Sequence, residues 1–286
     1  MEREPRQLIP LFQEPPDLTS LLVRPTAPDS NGNVQHITPQ SANWGYVGFD
    51  MHRLTTGSAF TRPADDREVC LVIVSGHANV RAGEDVFENI GDRTSVFDKK
   101  APWAVYVPNG VEISVEAVGD LEIAVANAPG KGTHPVRLIR PEDINTSSRG
   151  EGTNTRYVYD ILPESEPADS LLVVEVITPA GSWSSYPPHK HDATALPEES
   201  FLEETYYHRL NPPQGFAFQR VYTDDRSIDE TMAVEDGDVV MVPKGYHPVG
   251  APHGYDLYYL NVMAGPERIW RFRNDPVHDW IAPQKK

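Results

Sequence analysis

The sequence predicts an all-β protein built from two related β-barrel domains. Short apolar runs rich in β-branched and aromatic residues recur along the whole chain, as strands do in a sandwich or barrel. These runs lie at 69–74, 104–107, 122–126, 171–177, 216–222, 238–242 and 257–263. The 27 prolines and 20 glycines are spread between them and supply the turns. Segments of helical period are scarce, and the best candidate, 198–206, reads in its second half more like the start of a strand.

The two halves of the chain resemble each other, which predicts a duplicated domain. Pro108-Asn109-Gly110 aligns with Pro243-Lys244-Gly245, and in both halves one apolar run enters this turn and another leaves it. Proline supplies the fixed φ and glycine the positive φ that such a turn needs. Upstream, Glu68 and its apolar run align with Glu204 and the strand residues that follow it.

The length and a polar segment near the middle fit two domains. A chain of 286 residues suggests one or two domains at about 150 residues each. Segment 140–155 is polar and poor in strand-forming residues, so we place an N-terminal domain over 1–145 and a C-terminal domain over 146–286. The single cysteine, Cys70, lies in an apolar run and is interpreted as a small buried hydrophobe.

Composition excludes several classes of function. The formal net charge of −17 argues against nucleic acid and anionic membrane as partners, because both are bound through basic patches. The N-terminal residues lack the apolar core of a signal peptide, and no stretch approaches the roughly 18 apolar residues of a membrane span. The lone cysteine fits a reducing compartment. We therefore expect a cytoplasmic protein, and the absence of a dinucleotide motif predicts no nucleotide cofactor.

A set of histidines and a glutamate in the C-terminal half predicts a metal site. His189 and His191 stand at i and i+2, so their side chains point the same way on an extended chain. A carboxylate follows at Glu203 or Glu204, and His247 follows the Pro-x-Gly turn. Three imidazoles and one carboxylate suit a transition metal better than calcium. We expect one divalent ion per chain, with zinc first and manganese, iron, nickel or cobalt as alternatives.

These motifs resemble those of the cupin fold, a jelly-roll β-barrel, so the resemblance implies two cupin domains. The first cupin motif is His-x-His with a downstream glutamate, and the second is matched by Gly237, Pro243, Gly245 and His247. The gap between His191 and the glutamates is longer than usual, which implies an insertion at 192–202. It leaves two candidates for the carboxylate ligand; the usual spacing favours Glu204, and since neighbours on a strand face opposite sides, only one can bind.

The N-terminal half lacks the corresponding ligands. The sequence at 62–66 contains no His-x-His, and Glu112 stands where His247 stands in the second half. We therefore expect the N-terminal domain to keep the fold without a metal and to serve a structural role.

Longer strings resemble the 5-deoxy-glucuronate isomerase family of bacterial myo-inositol breakdown. They are NWGYVGFD, REVCLVIVSG, RGEGTNTRYVYDIL and the segment from PPHKHD to LYYLNVMAGP. A more distant resemblance is to the isomerase of 5-keto-4-deoxyuronate in pectin breakdown. The first family interconverts 5-deoxy-D-glucuronate, an aldehyde sugar acid, with the ketone 5-dehydro-2-deoxy-D-gluconate. The resemblance thus implies a small sugar-acid substrate, and because bicupins often associate, it allows a homo-oligomer.

The ligand set suits an aldose–ketose isomerisation. The reaction removes a proton beside a carbonyl and returns it at the neighbouring carbon, through an enediolate with charge on two adjacent oxygens. A divalent ion can stabilise that charge as a Lewis acid, and a nearby base must carry the proton.

Three residues are candidates for catalysis. His208 and Tyr206 share the face of Glu204 by strand alternation. His208 is a candidate base, or alternatively orients Glu204 by a hydrogen bond. Tyr206 and Tyr222 are candidate donors to substrate oxygens, with packing inside the barrel as the alternative for both.

Three residues are candidates for substrate binding. Arg220 suits the substrate carboxylate, because a guanidinium binds a carboxylate through two parallel hydrogen bonds. If the other face of its strand points inward, Gln219 lines the pocket instead and Arg220 lies on the surface. Lys244, inside the Pro-x-Gly turn, is the third candidate.

Three other functions compete with this interpretation. A metal-dependent cupin dioxygenase would use the same ligands but would require oxygen. A non-enzymatic sugar-acid binder would have no need of all four ligands. An isomerase of the pectin-derived keto-uronate would keep the chemistry and change the substrate.

Overall fold

A computed structural model of the chain describes residues 20–282, and strands dominate it. The strands of the first half are β1 (Leu22–Val23), β2 (Asn33–Ile37), β3 (Gly48–Leu54), β4 (Ala59–Arg62), β5 (Arg67–Ser75), β6 (Ala78–Ala82), β7 (Asp85–Ile90), β8 (Ala104–Val107), β9 (Ile113–Ala117), β10 (Leu121–Pro129) and β11 (Arg137–Ile139). Those of the second half are β12 (Asn145–Arg149), β13 (Arg156–Leu162), β14 (Leu172–Thr178), β15 (Trp183–Ser184), β16 (His189–Lys190), β17 (Asp192–Ala195), β18 (Glu199–Phe201), β19 (Glu203–Asn211), β20 (Ala217–Tyr222), β21 (Asp229–Val234), β22 (Val239–Val242), β23 (Val249–Gly250), β24 (Asp256–Ala264) and β25 (Arg273–Asn274). One short helix, α1 (Pro39–Ala42), and 3-10 turns at Val96–Asp98, Pro141–Asp143, Gly152–Asn154 and Asp279–Ile281 complete the elements of the described residues.

The strands form two sandwiches with matching topology. In the first, a six-stranded sheet of order β11-β8-β5-β10-β3-β2 is accompanied by a four-stranded sheet of order β4-β9-β6-β7. In the second, a seven-stranded sheet of order β1-β22-β19-β24-β14-β13-β12 is accompanied by β15-β23-β20-β21. The central order β8-β5-β10-β3 of the first large sheet recurs as β22-β19-β24-β14 in the second. The predicted all-β class and the duplication are confirmed.

Apolar side chains fill three regions, which explains the continuous apolar runs in the sequence. One cluster lies inside each sandwich, and a third lies between the two large sheets and contains residues of both halves. On β5, Leu71 and Ile73 face the interior of the first sandwich while Cys70, Val72 and Val74 face the second half of the molecule. A strand buried on both faces needs apolar residues at every position, not at alternate ones. The interpretation of Cys70 as a buried hydrophobe is confirmed.

One strand of the first half belongs to the second sandwich. Strand β1 pairs with β22, with Leu22 opposite Val240 and Val23 opposite Val239, so it belongs to the second sandwich although it lies within the range 1–145. The polar segment 140–155 contains β12, which pairs along β13. The helical candidate 198–206 was wrong for its first half, which contains β18, and its second half begins β19, which confirms the interpretation of that part as a strand start. No helix in the part of the chain from 20 to 282 is long and apolar enough to cross a membrane.

Two buried glutamates join the halves in a symmetrical way. The carboxylate of Glu203 accepts hydrogen bonds from the backbone N–H groups of residues 45–47, at 2.7 to 3.1 Å, just before β3. The carboxylate of Glu68 accepts three from residues 169–171, at 2.6 to 2.8 Å, just before β14. Because β3 and β14 occupy the same place in the two sandwiches, Glu203 is the counterpart of Glu68. The alignment of Glu68 with Glu204 was therefore displaced by one residue.

Candidate active site

Three of the predicted metal ligands converge inside the second sandwich. His191, Glu204 and His247 are buried, and one potential ligand atom from each lies within 4.8 Å of the others. The Glu204 Oε2 atom is 3.1 Å from His191 Nε2 and 3.3 Å from His247 Nε2. These residues come from three different segments of the chain, so the fold assembles the cluster from the two motifs singled out in the sequence.

The Pro-x-Gly turn and Asp192 hold these segments together. Gly245 has φ +94°, and a Cβ atom there would lie 2.5 Å from the carbonyl oxygen of Tyr222, so the turn requires glycine. The backbone N–H of Gly245 donates to Asp192 Oδ2 at 2.9 Å. This bond ties the residue after His191 to the turn that carries His247.

Hydrogen bonds to the backbone orient both histidine rings. His191 Nδ1 lies 3.0 Å from the carbonyl oxygen of Leu202, and His247 Nδ1 lies 2.8 Å from that of Gly245. A carbonyl only accepts, so each Nδ1 carries the proton and each Nε2 is directed at Glu204. Among residues 20–282, His247 Nε2 has no hydrogen-bond partner although it is buried. A buried imidazole nitrogen with a free lone pair beside a carboxylate fits a divalent metal ion.

The protonation of the cluster also fits a cation. Burial lowers the pKa of His247 to about 3, although the charge of Glu204 acts in the opposite direction. Burial also lowers the pKa of His191, but the hydrogen bond and charge of Glu204 outweigh it and raise the pKa overall. His247 is thus neutral at pH 7, as a metal ligand must be.

The fourth predicted ligand, His189, lies beside the cluster and outside its tightest group. Its ring centroid is 4.9 Å from that of His247 at an angle of 84°, and 4.5 Å from that of Phe272. Burial lowers the pKa of His189 to about 3, with the charges of His191 and Arg156 adding to the effect. His189 is therefore also neutral at pH 7, and its ring borders the same cavity as Glu204.

The two adjacent glutamates face opposite ways. Glu204 turns into the sandwich, where Asn261 Nδ2 donates to its Oε1 at 2.5 Å. Glu203 turns to the first half of the molecule and meets the N–H groups of residues 45–47. Of the two carboxylates, only that of Glu204 reaches the histidines.

A cavity of about 260 Å³ opens onto this cluster. Its walls combine two arginines, an apolar patch of valines, and several polar and aromatic side chains. They are Arg149, Gly150, Asn154, Arg156, Val158, Val174, Val176, Ser185, Tyr186, Pro187, His189, Glu204, Tyr206, Tyr259, Asn261, Trp270, Phe272 and Asn274. The cavity has room for a six-carbon ligand, and charged groups line its walls.

Tyr206 lies in this wall as a protonated phenol. Its hydroxyl shares a hydrogen bond of 2.9 Å with Ser185 Oγ, and its ring lies 5.7 Å from that of His247. Burial, and then the charge of Glu204, raises the pKa of Tyr206 well above its usual value. At neutral pH the Tyr206 hydroxyl can therefore donate a hydrogen bond to an oxygen in the cavity.

His208 lies behind Tyr206 and does not line the cavity. The two ring centroids are 5.9 Å apart, and His208 Nε2 lies 2.8 Å from Gln219 Oε1. Burial lowers the pKa of His208 to about 4. The hydrogen bond that orients Glu204 comes from Asn261 and not from His208.

The structure brings neither Arg220, Tyr222 nor Lys244 to the cavity, which corrects their predicted placement. Arg220 lies on the outer face of β20, and its Nε and Nη2 donate to Asp229 at 2.8 Å each. The Tyr222 hydroxyl donates to Asp275 at 2.8 Å, and Lys244 is exposed. For Arg220 and Tyr222 the physical reason is strand parity, because the alternative set of β20, with Gln219 inward, is the one observed. Gln219 itself bonds to His208 rather than opening onto the cavity.

Sequence reasoning missed most of the polar side chains of the cavity, among them Arg156, Asn261 and Trp270. Asn261 carried a usable signal, because it is a polar residue in the middle of the apolar run 257–263. Arg156 shares the face of Val158 by alternation, but nothing in the sequence showed which face of β13 points inward. The predicted insertion at 192–202 is a small hairpin of β17 and β18.

Comparisons with known proteins agree with this architecture. Curated relatives named 5-deoxy-glucuronate isomerase include one from Geobacillus thermodenitrificans, 57% identical over 268 residues, covering 94% of this chain and 98% of that one. Another, from Bacillus subtilis strain 168, is 52% identical over 268 residues, covering 92% and 99%.

Solved structures show the same fold. The crystal structure of an IolB-like protein from Salmonella typhimurium aligns with a TM-score of 0.90 at 56% identity, covering 92% of this chain and 100% of that one. An oxalate decarboxylase of Lactobacillus farciminis, a cupin protein, aligns with a TM-score of 0.65 at 14% identity, covering 96% and 94%; this likeness concerns the fold alone. The KduI/IolB family matches residues 21–281. The chain therefore belongs to the KduI/IolB family.

Proposed function

We propose that the protein is a 5-deoxy-glucuronate isomerase. It converts 5-deoxy-D-glucuronate to 5-dehydro-2-deoxy-D-gluconate, an intramolecular aldose–ketose isomerisation of inositol catabolism. The observation that carries the proposal is the buried cluster of His191, Glu204 and His247 at a cavity of about 260 Å³, in a chain 57% identical to a relative of that name. The family likeness supplies the substrate, and the cluster supplies a place for the chemistry.

The cluster would hold one divalent metal ion. His191, Glu204 and His247 would bind it, and His189, whose ring stands 4.9 Å from that of His247, would complete the set. Zinc is our first candidate for three imidazoles and a carboxylate, with manganese, iron, nickel and cobalt as alternatives. A bound ion would act as a Lewis acid for the charge that develops on the substrate oxygens.

The other side chains of the cavity bind, orient and shield the substrate. The Tyr206 hydroxyl keeps its proton and donates a hydrogen bond to a substrate oxygen beside Glu204. Asn261 holds the Glu204 carboxylate in place through Oε1. His208 acts as a positioning residue behind Tyr206 rather than as the base, because it has no access to the cavity.

The proposal is tested by giving the purified full-length protein 5-deoxy-D-glucuronate in deuterated water under nitrogen and following the products by NMR. We expect the ketone product, with deuterium at the carbon that receives the proton. The surface variant Arg220→Ala should match the wild type, and Glu204→Gln should be inactive. A product that forms only with oxygen would favour the dioxygenase, and turnover of 5-keto-4-deoxyuronate alone would favour the pectin-derived substrate. If neither acid is converted, the isomerase proposal is wrong.

A further inference from the structure

One wall of the cavity carries a guanidinium without an acidic partner. Arg156 is half-buried, and its Nη1 donates to the carbonyl oxygen of Asn154 at 3.0 Å. Among residues 20–282 no carboxylate lies within 4.0 Å of it, whereas Arg149 pairs with Asp160 at 3.2 Å. A guanidinium has five N–H donors, so most of those on Arg156 remain available to a ligand.

A second guanidinium stands beside it. Arg149 and Arg156 are directly opposite each other on β12 and β13, and both line the cavity. Like charges in this position repel each other. Burial lowers the pKa of Arg156, and the charge of Arg149 lowers it further. An anion bound at this wall would reduce the repulsion between the two guanidinium groups and would compensate the buried charge of Arg156.

Two further polar atoms on residues that line the cavity lack a hydrogen-bond partner among residues 20–282. Trp270 Nε1, a donor, and Asn154 Oδ1, an acceptor, are buried without a hydrogen bond to any residue from 20 to 282. Buried polar groups are rarely left unpaired, so such atoms mark a place for a ligand or water. An acid that also carries hydroxyl groups could pair with both.

Apolar side chains adjoin the guanidinium. Val158 is two residues from Arg156 on the same face of β13, and Val176 is its cross-strand partner on β14. Val158, Val174 and Val176 all line the cavity. A carbon bonded to the carboxylate would thus meet side chains that cannot accept or donate a hydrogen bond.

We propose that Arg156, assisted by Trp270 Nε1, is the carboxylate-binding residue of this site. Val158 and Val176 form the adjoining surface and select acids whose carboxylate follows an unsubstituted methylene. The inference rests on the proposed function in one respect: it assigns the far end of an open-chain sugar acid whose carbonyl end lies at Glu204. The substrate 5-deoxy-D-glucuronate and its product both carry a methylene next to the carboxylate.

Three non-reacting probes test carboxylate binding and selection for the methylene separately. Their binding to the metal-loaded, full-length protein is measured by isothermal titration calorimetry. 2-Deoxy-D-gluconate has the carboxylate and the methylene, D-gluconate adds a hydroxyl at that carbon, and 2-deoxy-D-glucitol replaces the carboxylate with an alcohol. In the wild type we expect the alcohol to bind about 10- to 100-fold more weakly than 2-deoxy-D-gluconate, as for loss of a charged hydrogen-bonded pair. D-Gluconate should bind at least about 10-fold more weakly, as for a hydroxyl pressed against an apolar wall.

Variants of Arg156 and Val176 test whether these residues form the carboxylate subsite. Arg156→Met, which keeps the length and removes the charge, should lower the affinity for 2-deoxy-D-gluconate to that for the alcohol and leave the alcohol unchanged. Arg156→Lys should give an intermediate affinity, because it keeps the charge and loses the planar fork. Val176→Thr should reduce the discrimination against D-gluconate. Arg220→Ala, on the outer face of β20, should resemble the wild type in every measurement.

The outcomes separate this inference from the isomerase proposal. If 5-deoxy-D-glucuronate is not converted but the probes behave as expected, the carboxylate subsite stands and the isomerase proposal fails. If conversion is normal and Arg156→Met leaves both KM and the acid-to-alcohol ratio unchanged, the subsite is overturned and the isomerase proposal stands. Should Arg156→Met not fold, Arg156→Gln carries the same comparison. If Val176→Thr discriminates against D-gluconate as strongly as the wild type does, the role of Val176 is overturned.

Discussion

At the scale of single residues, the geometry of the cluster of His191, Glu204 and His247 depends on which nitrogen of each histidine already forms a hydrogen bond. The Nδ1 atoms of His191 and His247 are bound to backbone carbonyls, and the opposite nitrogens converge on one oxygen of Glu204. Such bonds fix the ring orientation and tautomer before any ion arrives. The cluster is therefore prepared for a cation by the backbone around it.

His247→Ala should remove the metal and the activity while leaving the fold. Metal content measured by elemental analysis should fall from about one ion per chain to near zero. Turnover should fall by more than the 10- to 100-fold that loss of a ligand's hydrogen-bond partner costs. His253→Ala, an exposed histidine of the same domain, is the control and should keep both. Full metal content in His247→Ala would remove this residue from the ligand set.

His208 should make the free energy of unfolding depend on pH. Burial lowers its pKa from 6.5 to about 4, so the folded state resists a proton that the unfolded chain accepts. The stabilisation is complete above pH 6.5 and is lost as the pH falls towards 4. Between pH 7 and pH 5 this amounts to about 2 kcal/mol in the free energy of unfolding.

The measurement is urea unfolding at both pH values for the wild type and His208→Leu. The difference between pH 7 and pH 5 should be smaller in the variant by that amount, whatever the absolute stability. His253→Ala controls for the loss of a histidine and should keep the wild-type difference. Equal pH dependence in His208→Leu and the wild type would refute the assignment.

At the scale of elements, strand β19 serves two functions with two neighbouring glutamates. It is buried on both faces, so Glu204 reaches His191 and His247, and Glu203 reaches the first half of the molecule. The backbone N–H groups of residues 45–47 thus anchor the strand that carries the carboxylate ligand. The first half of the molecule thus contributes hydrogen bonds that hold this strand beside the site.

Glu203→Gln and Glu204→Gln should therefore have opposite effects. Glu203→Gln exchanges an acceptor for an NH2 group facing backbone donors, and should lower the free energy of unfolding by about 1–3 kcal/mol. It should still bind metal. Glu204→Gln should lose metal and keep the stability of the metal-free wild type. Denaturant unfolding and elemental analysis of both variants check this. Equal loss of metal in the two would contradict the assignment of metal binding to Glu204 and of anchoring to Glu203.

At the scale of the whole molecule, the two sandwiches share a buried interface. The cluster between the large sheets contains residues of both halves, β1 lies in the second sheet, and Arg93 pairs with Glu175 across the interface at 2.7 Å. The Tyr258 hydroxyl donates to the same carboxylate at 2.8 Å. Because these contacts link both cores, we expect a single unfolding transition in calorimetry rather than two.

Arg93→Met should be strongly destabilising. It leaves Glu175 buried without its cation, which costs about 3–5 kcal/mol. The double variant Arg93→Met with Glu175→Gln removes the uncompensated charge and should recover a large part of that loss. Chemical unfolding of the wild type, the two single variants and the double variant measures the coupling, and additive effects of the two substitutions would contradict it.

The sequence by itself determined the strands, the duplication and the metal motifs. The apolar runs 69–74, 104–107 and 257–263 fall within β5, β8 and β24, because residues that are buried in a sheet must be apolar. His191 and His247 stood in motifs whose spacing predicted a common site, and the structure brings them to Glu204.

Only the tertiary structure decided which face of each strand looks inward. Alternation tells which residues share a face, but in a strand buried on both faces it cannot tell the two sides apart. Arg220 was therefore predicted to bind substrate but lies outside the cavity, while Arg156 lies in its wall. The same ambiguity left both Glu203 and Glu204 as candidates for the carboxylate ligand. The packing of β19 between the two halves resolves it. One side of the strand faces His191 and His247, and the other faces the first sandwich.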